Sequence, residues 1–233
     1  MIENPIQTER ALLTWQRPLS AGGRRDRFAV GEFRQSPDGV IFEYLPEEML
    51  QTARSQGYRS YPGLLPSAER TSSEALSVMM RRLPPRDRSD FPDFMRAFGL
   101  SPQADFSDLS LLAYTGARVK SDSDSFGITE TFDGFDQPFD YVFDIAGVRH
   151  YLATLNATAE EDDVTFRHEA NNDFDPRAIE VLNSRGLRLG YLNKLQAPKM
   201  LEWLATGSVV ARVFRKNGRP DYPRLFVKAQ ITP

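Results

Sequence analysis

An acidic run in the middle of the chain has the residue types that metal-dependent catalysis uses. Asp122 and Asp124 alternate with serines, and Asp133, Asp136 and Asp140 follow. Carboxylates at this density could bind Mg²⁺ in a nuclease. Two-metal chemistry needs carboxylates fixed on rigid elements, however, and this segment, rich in Ser, Gly and Asp, is predicted to be a loop. We therefore expect no metal site and no catalytic residue here.

Other catalytic arrangements are absent from the sequence. His150 and His168 are the only histidines, too few for a His-rich metal cage, and the lack of cysteine excludes disulfides, thiolate zinc sites and a cysteine nucleophile. There is no Gly-x-Ser-x-Gly elbow and no Gly-rich phosphate loop followed by Lys-Ser or Lys-Thr. We expect a protein that is not an enzyme and needs no cofactor.

Charge is distributed unevenly along the chain. The net charge is -3, but residues 146–233 carry 13 Lys/Arg against 10 Asp/Glu, with aromatic residues interspersed. Rings could stack on bases while cations meet phosphates, although composition alone favours the solvated surface of a mixed-charge domain, because a modest basic excess is common in proteins that bind no nucleic acid. No 18-residue apolar window and no secretory signal is present, so we expect a cytoplasmic protein without a membrane segment.

The apolar pattern divides the chain into two domains, predicted at residues 1–145 and 146–233. The first is predicted to be a β-meander followed by helices. Its predicted elements are strands at 12–15, 27–33 and 40–44 and helical runs at 75–80, 91–98 and 109–114. The polar, acidic stretch that follows marks the predicted boundary.

The second domain is predicted to be a small OB-like β-barrel with one helix, which makes the whole chain an α+β protein. Alternating apolar residues predict a hairpin of 178–182 and 187–192. Pro198 in the first turn and Gly207 at the end delimit the single predicted helix. Further strands are predicted at 147–155, 164–168, 209–214 and 225–231. Many short strands around one helix are typical of a closed or partly closed barrel.

One motif in this domain resembles a known family. The string HEANNDFDPRAIEV at residues 168–181, then Gly190-Tyr191-Leu192 and a helix containing Ala197, resembles the HIRAN family. HIRAN domains look like modified OB barrels, and a eukaryotic member grips the free 3′ end of single-stranded DNA. The resemblance therefore implies DNA binding by residues 146–233.

Carried over by position, the resemblance implies a set of DNA-binding residues: Arg149, His150, Asn172, Phe174, Asp175, Tyr191 and, as a looser candidate, Phe226. Arg149 and His150 would lie on the first strand. Three positions depart from the family pattern, since His150 replaces an aromatic ring, Phe174 a Tyr and Tyr191 a His. These departures retain rings for stacking at two positions and change the groups that form hydrogen bonds.

The chemistry of these positions permits two interpretations. Rings can stack on unpaired bases for about 1–3 kcal/mol each, Arg149 can meet a phosphate, and Asp175 can accept a hydrogen bond from a base edge or a terminal hydroxyl. Alternatively, Asn172 and Asp175 hold a turn, while Phe174 and Tyr191 fill the barrel. The sequence leaves both open.

Residues 1–145 carry a second resemblance. Val30–Phe33, Leu83-Pro84-Pro85-Arg86 and Leu111–Ala117, in this order, resemble segments of the small N-terminal subdomain of HipA-type toxin kinases. The kinase lobe that would follow is missing. The resemblance implies at most a docking module for a kinase, a repressor or another copy of the chain.

Together these observations predict a non-enzymatic protein that binds single-stranded DNA, at its free 3′ end, and serves recruitment or sensing in DNA repair or defence. The alternative is a regulatory subunit of a toxin-antitoxin-like kinase system without DNA binding. A further hypothesis is that the acidic segment 121–144 mimics DNA and covers the basic face of the barrel.

Overall fold

The computed structural model describes residues 1–18, 21–22, 26–64, 73–119, 124–220 and 222–233. Contacts divide the chain into two compact units, Gln7–Gly134 and Phe135–Pro233, the latter together with Met1–Ile6. This moves the predicted boundary from 145/146 to 134/135. Of the acidic segment, residues 121–123 lie outside the described residues, and its last part is a strand.

The unit Gln7–Gly134 is a four-stranded antiparallel sheet with four described helices. The strand order is β3-β2-β1-β4, with β1 Arg10–Gln16, β2 Arg27–Ser36, β3 Gly39–Tyr44 and β4 Phe126–Glu130. The helices are α1 Glu47–Ser55, α2 Ser73–Met80, α3 Phe91–Ala97 and α4 Asp108–Thr115. The predicted meander and the three predicted helical runs are present, whereas α1 and β4 were not predicted.

Helix α4 is the buried centre of this unit. Ser107 begins it by accepting a hydrogen bond from the Ser110 amide through its side chain, and Gly116 ends it with φ +69°. Every residue from Leu109 to Thr115 is buried. A helix that is apolar all round belongs inside the protein, which agrees with the uninterrupted apolar run in the sequence.

The second unit contains a six-stranded antiparallel sheet that curls into a barrel-like shape. Its order is β5-β10-β9-β6-β7-β8. The strands are β5 Phe139–Ile145, β6 Asp163–His168, β7 Ile179–Asn183, β8 Arg188–Tyr191, β9 Ser208–Arg219 and β10 Tyr222–Thr232. The predicted β7–β8 hairpin is confirmed by its pairing, and the predicted helix is α6, Ala197–Thr206. The α+β prediction with an OB-like barrel is thus confirmed.

The predicted strand at 147–155 is wrong. Gly147 adopts φ +74°, which ends the extended backbone, and a 3₁₀ turn at Val148–His150 leads into a second helix, α5 Leu152–Asn156. The first strand of the barrel is instead β5, which the sequence interpretation had assigned to the boundary. Its residues pair with β10 along its whole length, and only Asp144 is not buried.

A backbone bridge joins the two edges of the six-stranded sheet. Ala146, directly after β5, donates to and accepts from Tyr191 at the end of β8, with N···O distances of 2.7 and 2.9 Å. These two backbone segments approach so closely that a Cβ on Gly190 would lie 2.5 Å from the Ala146 oxygen and 2.8 Å from a methyl carbon of Ile145. Glycine at position 190 is therefore a requirement for closing the sheet.

Substitution of Gly190 tests this closure. Because a Cβ there would meet backbone, Gly190→Ala is expected to lower the free energy of unfolding of the second unit by about 1–3 kcal/mol. Trp203 fluorescence in a Trp15→Phe background reports this unit during urea unfolding. Gly186→Ala is the control, since Gly186 has φ +74° but no atom within 4 Å of its added Cβ. An equal loss in both variants would contradict the steric role of Gly190.

Glu130 is a buried carboxylate at the end of β4 in the first unit. It accepts hydrogen bonds from the Thr8 hydroxyl and from the backbone amides of Thr131 and Phe132, the last two at 2.9 and 3.0 Å. Burial raises the pKa of Glu130 to about 7, although these hydrogen bonds oppose the rise. Between its ordinary pKa and pH 7 the folded protein therefore holds a proton that the unfolded chain releases.

The stability of the first unit is accordingly expected to fall as pH rises from about 5 to 7. Each pKa unit corresponds to about 1.4 kcal/mol, so the total loss is about 3 kcal/mol. Urea unfolding at pH 5, 6, 7 and 8, followed by Trp15 fluorescence in a Trp203→Phe background, measures it. Glu130→Gln should flatten this pH dependence, and an unchanged slope in that variant would refute the assignment.

Candidate functional site

The carboxylate of Glu169 holds together the loop after β6 and the end of β8. Its Oε2 accepts hydrogen bonds from Asn172 Nδ2 at 2.6 Å and from the Tyr191 hydroxyl at 2.8 Å, and its Oε1 lies 2.6 Å from an Arg188 nitrogen. These three donors come from two different elements. Glu169 thereby brings the Asn172 loop to Tyr191, two positions that the resemblance had assigned to DNA.

Asn172 also shapes the loop that carries Phe174. Its Oδ1 accepts from the amides of Phe174 at 3.0 Å and Asp175 at 3.1 Å, and Asp175 Oδ1 accepts from the Arg177 amide at 2.9 Å. The turn-holding interpretation therefore applies to Asn172 and Asp175. The same turn leaves the Phe174 side chain on the outside, where 75% of the residue is exposed. Phe174 does not fill the barrel.

Arg188 lies against two tyrosine rings. Its guanidinium carbon is 5.0 Å from the Tyr191 ring centroid and 5.9 Å from that of Tyr151, and the two rings are 6.5 Å apart. Arg188 also forms an ion pair with Glu180 at 2.6 Å. Ion pairing on one side and ring contacts on the other fix the guanidinium plane. The result is a polar, aromatic platform on the surface of the barrel.

The charges of this platform reinforce one another. Hydrogen bonding from Asn172 is the largest factor that lowers the pKa of Glu169, with Tyr191 and Arg188 acting in the same direction against burial. Burial lowers the pKa of Arg188, but hydrogen bonds to Tyr151, Glu180 and Glu169 outweigh it and raise that pKa overall. Burial also raises the pKa of Tyr191. At neutral pH Glu169 is thus ionised, Arg188 charged and Tyr191 protonated.

Arg149 and His150 are exposed beside this platform, in the 3₁₀ turn and not on a strand as predicted. Arg149 Nε donates to His150 Nε2 at 3.2 Å. The turn follows the Ala146–Tyr191 bridge and contacts both β8 and β10. The ring of this segment that faces Tyr191 is Tyr151, one residue after the position carried over from the family. Tyr151 is half-buried.

Phe226 is not available as a stacking ring. It is 4% exposed, and the guanidinium groups of Arg215 and Arg224 lie over it at 5.0 and 4.7 Å from its ring centroid. The ring that was expected to contact DNA is therefore buried beneath two arginine side chains. A β-bulge in β9 opposite Phe226 shifts the local register, and three consecutive residues of β10 around it are buried.

The acidic run does not assemble into a metal site among its described residues. Asp124 forms an ion pair with Arg82 at 2.6 Å, Asp133 with Arg10 at 2.6 Å, and Asp140 accepts from the Glu3 amide at 2.8 Å. Within the described ranges, no group of three or more His, Asp or Glu could hold a metal ion. No described helix is long and apolar enough to cross a membrane.

Four site residues were missed from the sequence: Tyr151, Glu169, Glu180 and Arg188. Glu169 and Glu180 are inside the motif string, but their pattern gave no sign that one carboxylate would accept three hydrogen bonds. Of the two neighbours of Arg188, Leu189 is buried and Leu187 is 48% exposed, so the apolar alternation around Arg188 is incomplete. Arg188 is three positions before Tyr191, and an irregularity in the β7–β8 register between Val181 and Leu182 brings both residues to one face. Simple alternation along a strand does not predict this, so the sequence carried no signal for it.

A comparison with protein-family models identifies one domain in this chain. The family model described as the HIRAN domain matches residues 138–230, beginning just before β5. This part of the chain is therefore a HIRAN domain, as the motif at 168–181 predicted, and the match supports a DNA-binding role for it. No curated protein matches the sequence.

Two solved structures resemble the chain. The HIRAN domain of human HLTF is 17% identical, with 40% of this chain and 74% of that chain covered and a TM-score of 0.32. A protein from Lactobacillus plantarum is 20% identical, with 41% and 95% covered and a TM-score of 0.32. No match supports the resemblance of residues 1–145 to HipA-type kinases.

The role of Glu169 as organiser of the loop is testable by amide exchange. Glu169→Ala removes the acceptor that fixes Asn172, so the Phe174 and Asp175 amides that donate to Asn172 Oδ1 should exchange about tenfold faster, which corresponds to about 1.4 kcal/mol of lost local stability. Hydrogen–deuterium exchange read by NMR measures it.

Asp173→Asn is the matched control, because it neutralises an exposed carboxylate in the same loop. It should leave both exchange rates unchanged. Unaltered protection in Glu169→Ala would show that the loop holds its shape without Glu169.

Proposed function

We propose that the HIRAN domain of this protein binds single-stranded DNA at its free 3′ end and acts as a non-enzymatic recruitment or sensing module in DNA repair or defence. The observation that carries this proposal is the pairing of an exposed ring with a fixed polar platform. Phe174 is 75% exposed, and its turn is tied through Asn172 and Glu169 to Tyr191.

The exposed ring favours an unpaired base as ligand. An exposed aromatic ring is accessible to a base, and base stacking on such a ring is worth about 1–3 kcal/mol. Bases in a duplex are already stacked on both faces, so only an unpaired or terminal base can reach the ring. This supports single strands and strand ends over continuous duplex.

The polar groups around the ring favour a terminal hydroxyl over a phosphate. Glu169 and Asp175 place two carboxylates in the same short loop, and both of them accept hydrogen bonds from the chain. A terminal phosphate would add negative charge close to these carboxylates, whereas a hydroxyl can donate to one of them. Exposed Arg149 is positioned to meet an internal phosphate.

The platform offers no catalytic arrangement that we can identify among its residues. Its ionised side chains are held in ion pairs, and no nucleophile beside a general base is among the residues described above. We therefore propose a binding role without turnover. The compartment that we propose is the cytoplasm.

Fluorescence anisotropy tests the proposal with the intact protein and a short labelled strand. A free 3′ hydroxyl should bind more tightly than the same strand with a 3′ phosphate or a blunt duplex. Phe174→Ala should weaken binding of the hydroxyl strand about tenfold, because one stacking contact is lost.

Val210→Ala is the control, since Val210 is an exposed apolar residue of β9 at 53% exposure. Equal affinity for all three DNAs would leave only a non-specific basic surface. Absence of binding at low salt would refute DNA binding and favour a protein-interaction module.

A further inference from the structure

Two arginines on adjacent strands meet over one buried ring. Arg215 of β9 and Arg224 of β10, called here the arginine pair, both lie against Phe226, with guanidinium carbons 5.0 and 4.7 Å from its centroid. Neither belongs to the set of positions carried over from the family. The ring holds the two guanidinium groups in place, which reduces the conformational entropy that a ligand would otherwise have to remove.

The strand register puts the arginine pair on one face of the sheet. Arg215 is directly opposite Phe226, and directly opposite residues of an antiparallel pair share a face. Arg224 is two residues before Phe226 on the same strand and therefore shares that face as well. Leu225 and Val227 point the other way and are fully buried, which identifies the arginine face as the outer one.

The arginine pair brings two positive charges together, with two carboxylates nearby. Asp144 forms an ion pair with Arg224 at 3.0 Å, and Glu160 attracts Arg215 from the neighbouring segment. Nevertheless, burial and the positive charge of Arg224 lower the pKa of Arg215. Two cations brought together in this way are stabilised by an additional anion, and paired guanidinium groups match the oxygens of a phosphate.

The arginine pair is on the same face as the platform and close to it. Ala146 bridges to Tyr191, and Leu225 pairs with Ile145. Continuing that register by one residue puts Arg224 opposite Ala146, so Tyr191, Ala146 and Arg224 form a row across the outer face. With strands about 4.8 Å apart, Arg224 and Tyr191 are separated by about 10 Å at the backbone. The 3₁₀ turn that carries Arg149 contacts both strands.

We propose that Arg215 and Arg224 form a subsite for one internal backbone phosphate of the strand whose end occupies the platform. This inference rests on the proposed function and adds the direction in which the strand leaves the platform, across the 3₁₀ turn towards the β9–β10 hairpin. The subsite adds affinity for the backbone and takes no part in reading the end.

The first experiment detects phosphate contact without DNA. The intact protein, labelled with ¹⁵N, is titrated with dimethyl phosphate, and the side-chain Nε–Hε signals of its arginines are followed by NMR. Signals of Arg215 and Arg224 should shift in a saturable manner, while that of Arg212, an exposed arginine of the same strand paired with Asp163, should not. Absence of a selective shift at the arginine pair overturns the subsite.

The second experiment uses the labelled strand with the free 3′ hydroxyl. Arg215→Gln/Arg224→Gln should weaken binding about tenfold and reduce the slope of log K against log salt by about 0.7, the value for one phosphate of a single strand. The preference for a 3′ hydroxyl over a 3′ phosphate should be unchanged. Lys199→Gln/Arg212→Gln removes the same charge from this unit and is the control.

Arg215→Lys/Arg224→Lys keeps both charges, and thermal unfolding of each variant verifies the fold. The Lys variant should bind with intermediate affinity, because an ammonium group lacks the planar fork of a guanidinium. If the wild-type protein binds and the Gln variant binds equally well, the subsite is wrong and the proposed function stands. If the wild-type protein binds no strand, both proposals fail.

Discussion

Two backbone hydrogen bonds between Ala146 and Tyr191 are the constraint on which the candidate site depends. They close the curled sheet and bring the segment after β5 beside β8. The 3₁₀ turn and Tyr151 then lie beside the end of β8, which is far from them in sequence. Gly190 permits this approach because no side chain other than hydrogen fits beside the Ala146 carbonyl. The hydrogen bonds of Glu169 add the third segment.

The two parts of the proposed interface differ in their electrostatics. On the platform Arg188 forms ion pairs with Glu169 and Glu180, and two tyrosine rings lie against it. Its contribution to binding is therefore expected from rings and directional hydrogen bonds more than from charge. At the arginine pair two guanidinium groups lie over one ring, with Asp144 and Glu160 nearby, and the proposed contribution is attraction for a phosphate. Specificity for an end and affinity for a backbone are thus assigned to different residues.

In the first unit, burial and hydrogen bonding compete to set the charge of the buried ionisable groups. Burial favours the neutral form of Glu130, while three hydrogen-bond donors favour the ionised form, and burial outweighs them. Arg82, in contrast, is buried as a charged group because Asp124 and the carbonyl of Phe126 satisfy it at 2.6 and 3.0 Å. The acidic residues of this region are therefore parts of the fold. Asp124, which the sequence suggested as a possible metal ligand, has a structural partner instead.

The sequence by itself determined the elements whose signals are local. The β7–β8 hairpin follows from alternation around turn residues, α6 from Pro198 and Gly207, and the HIRAN motif from a contiguous string. Only the tertiary structure decided that β5 joins the barrel, because its evidence is pairing with β10 some 80 residues away. It also decided that Phe226 is buried and that Glu169 organises the site. The burial of a ring and the hydrogen bonds that one carboxylate accepts depend on which strands become neighbours. Local periodicity in the sequence does not determine strand order.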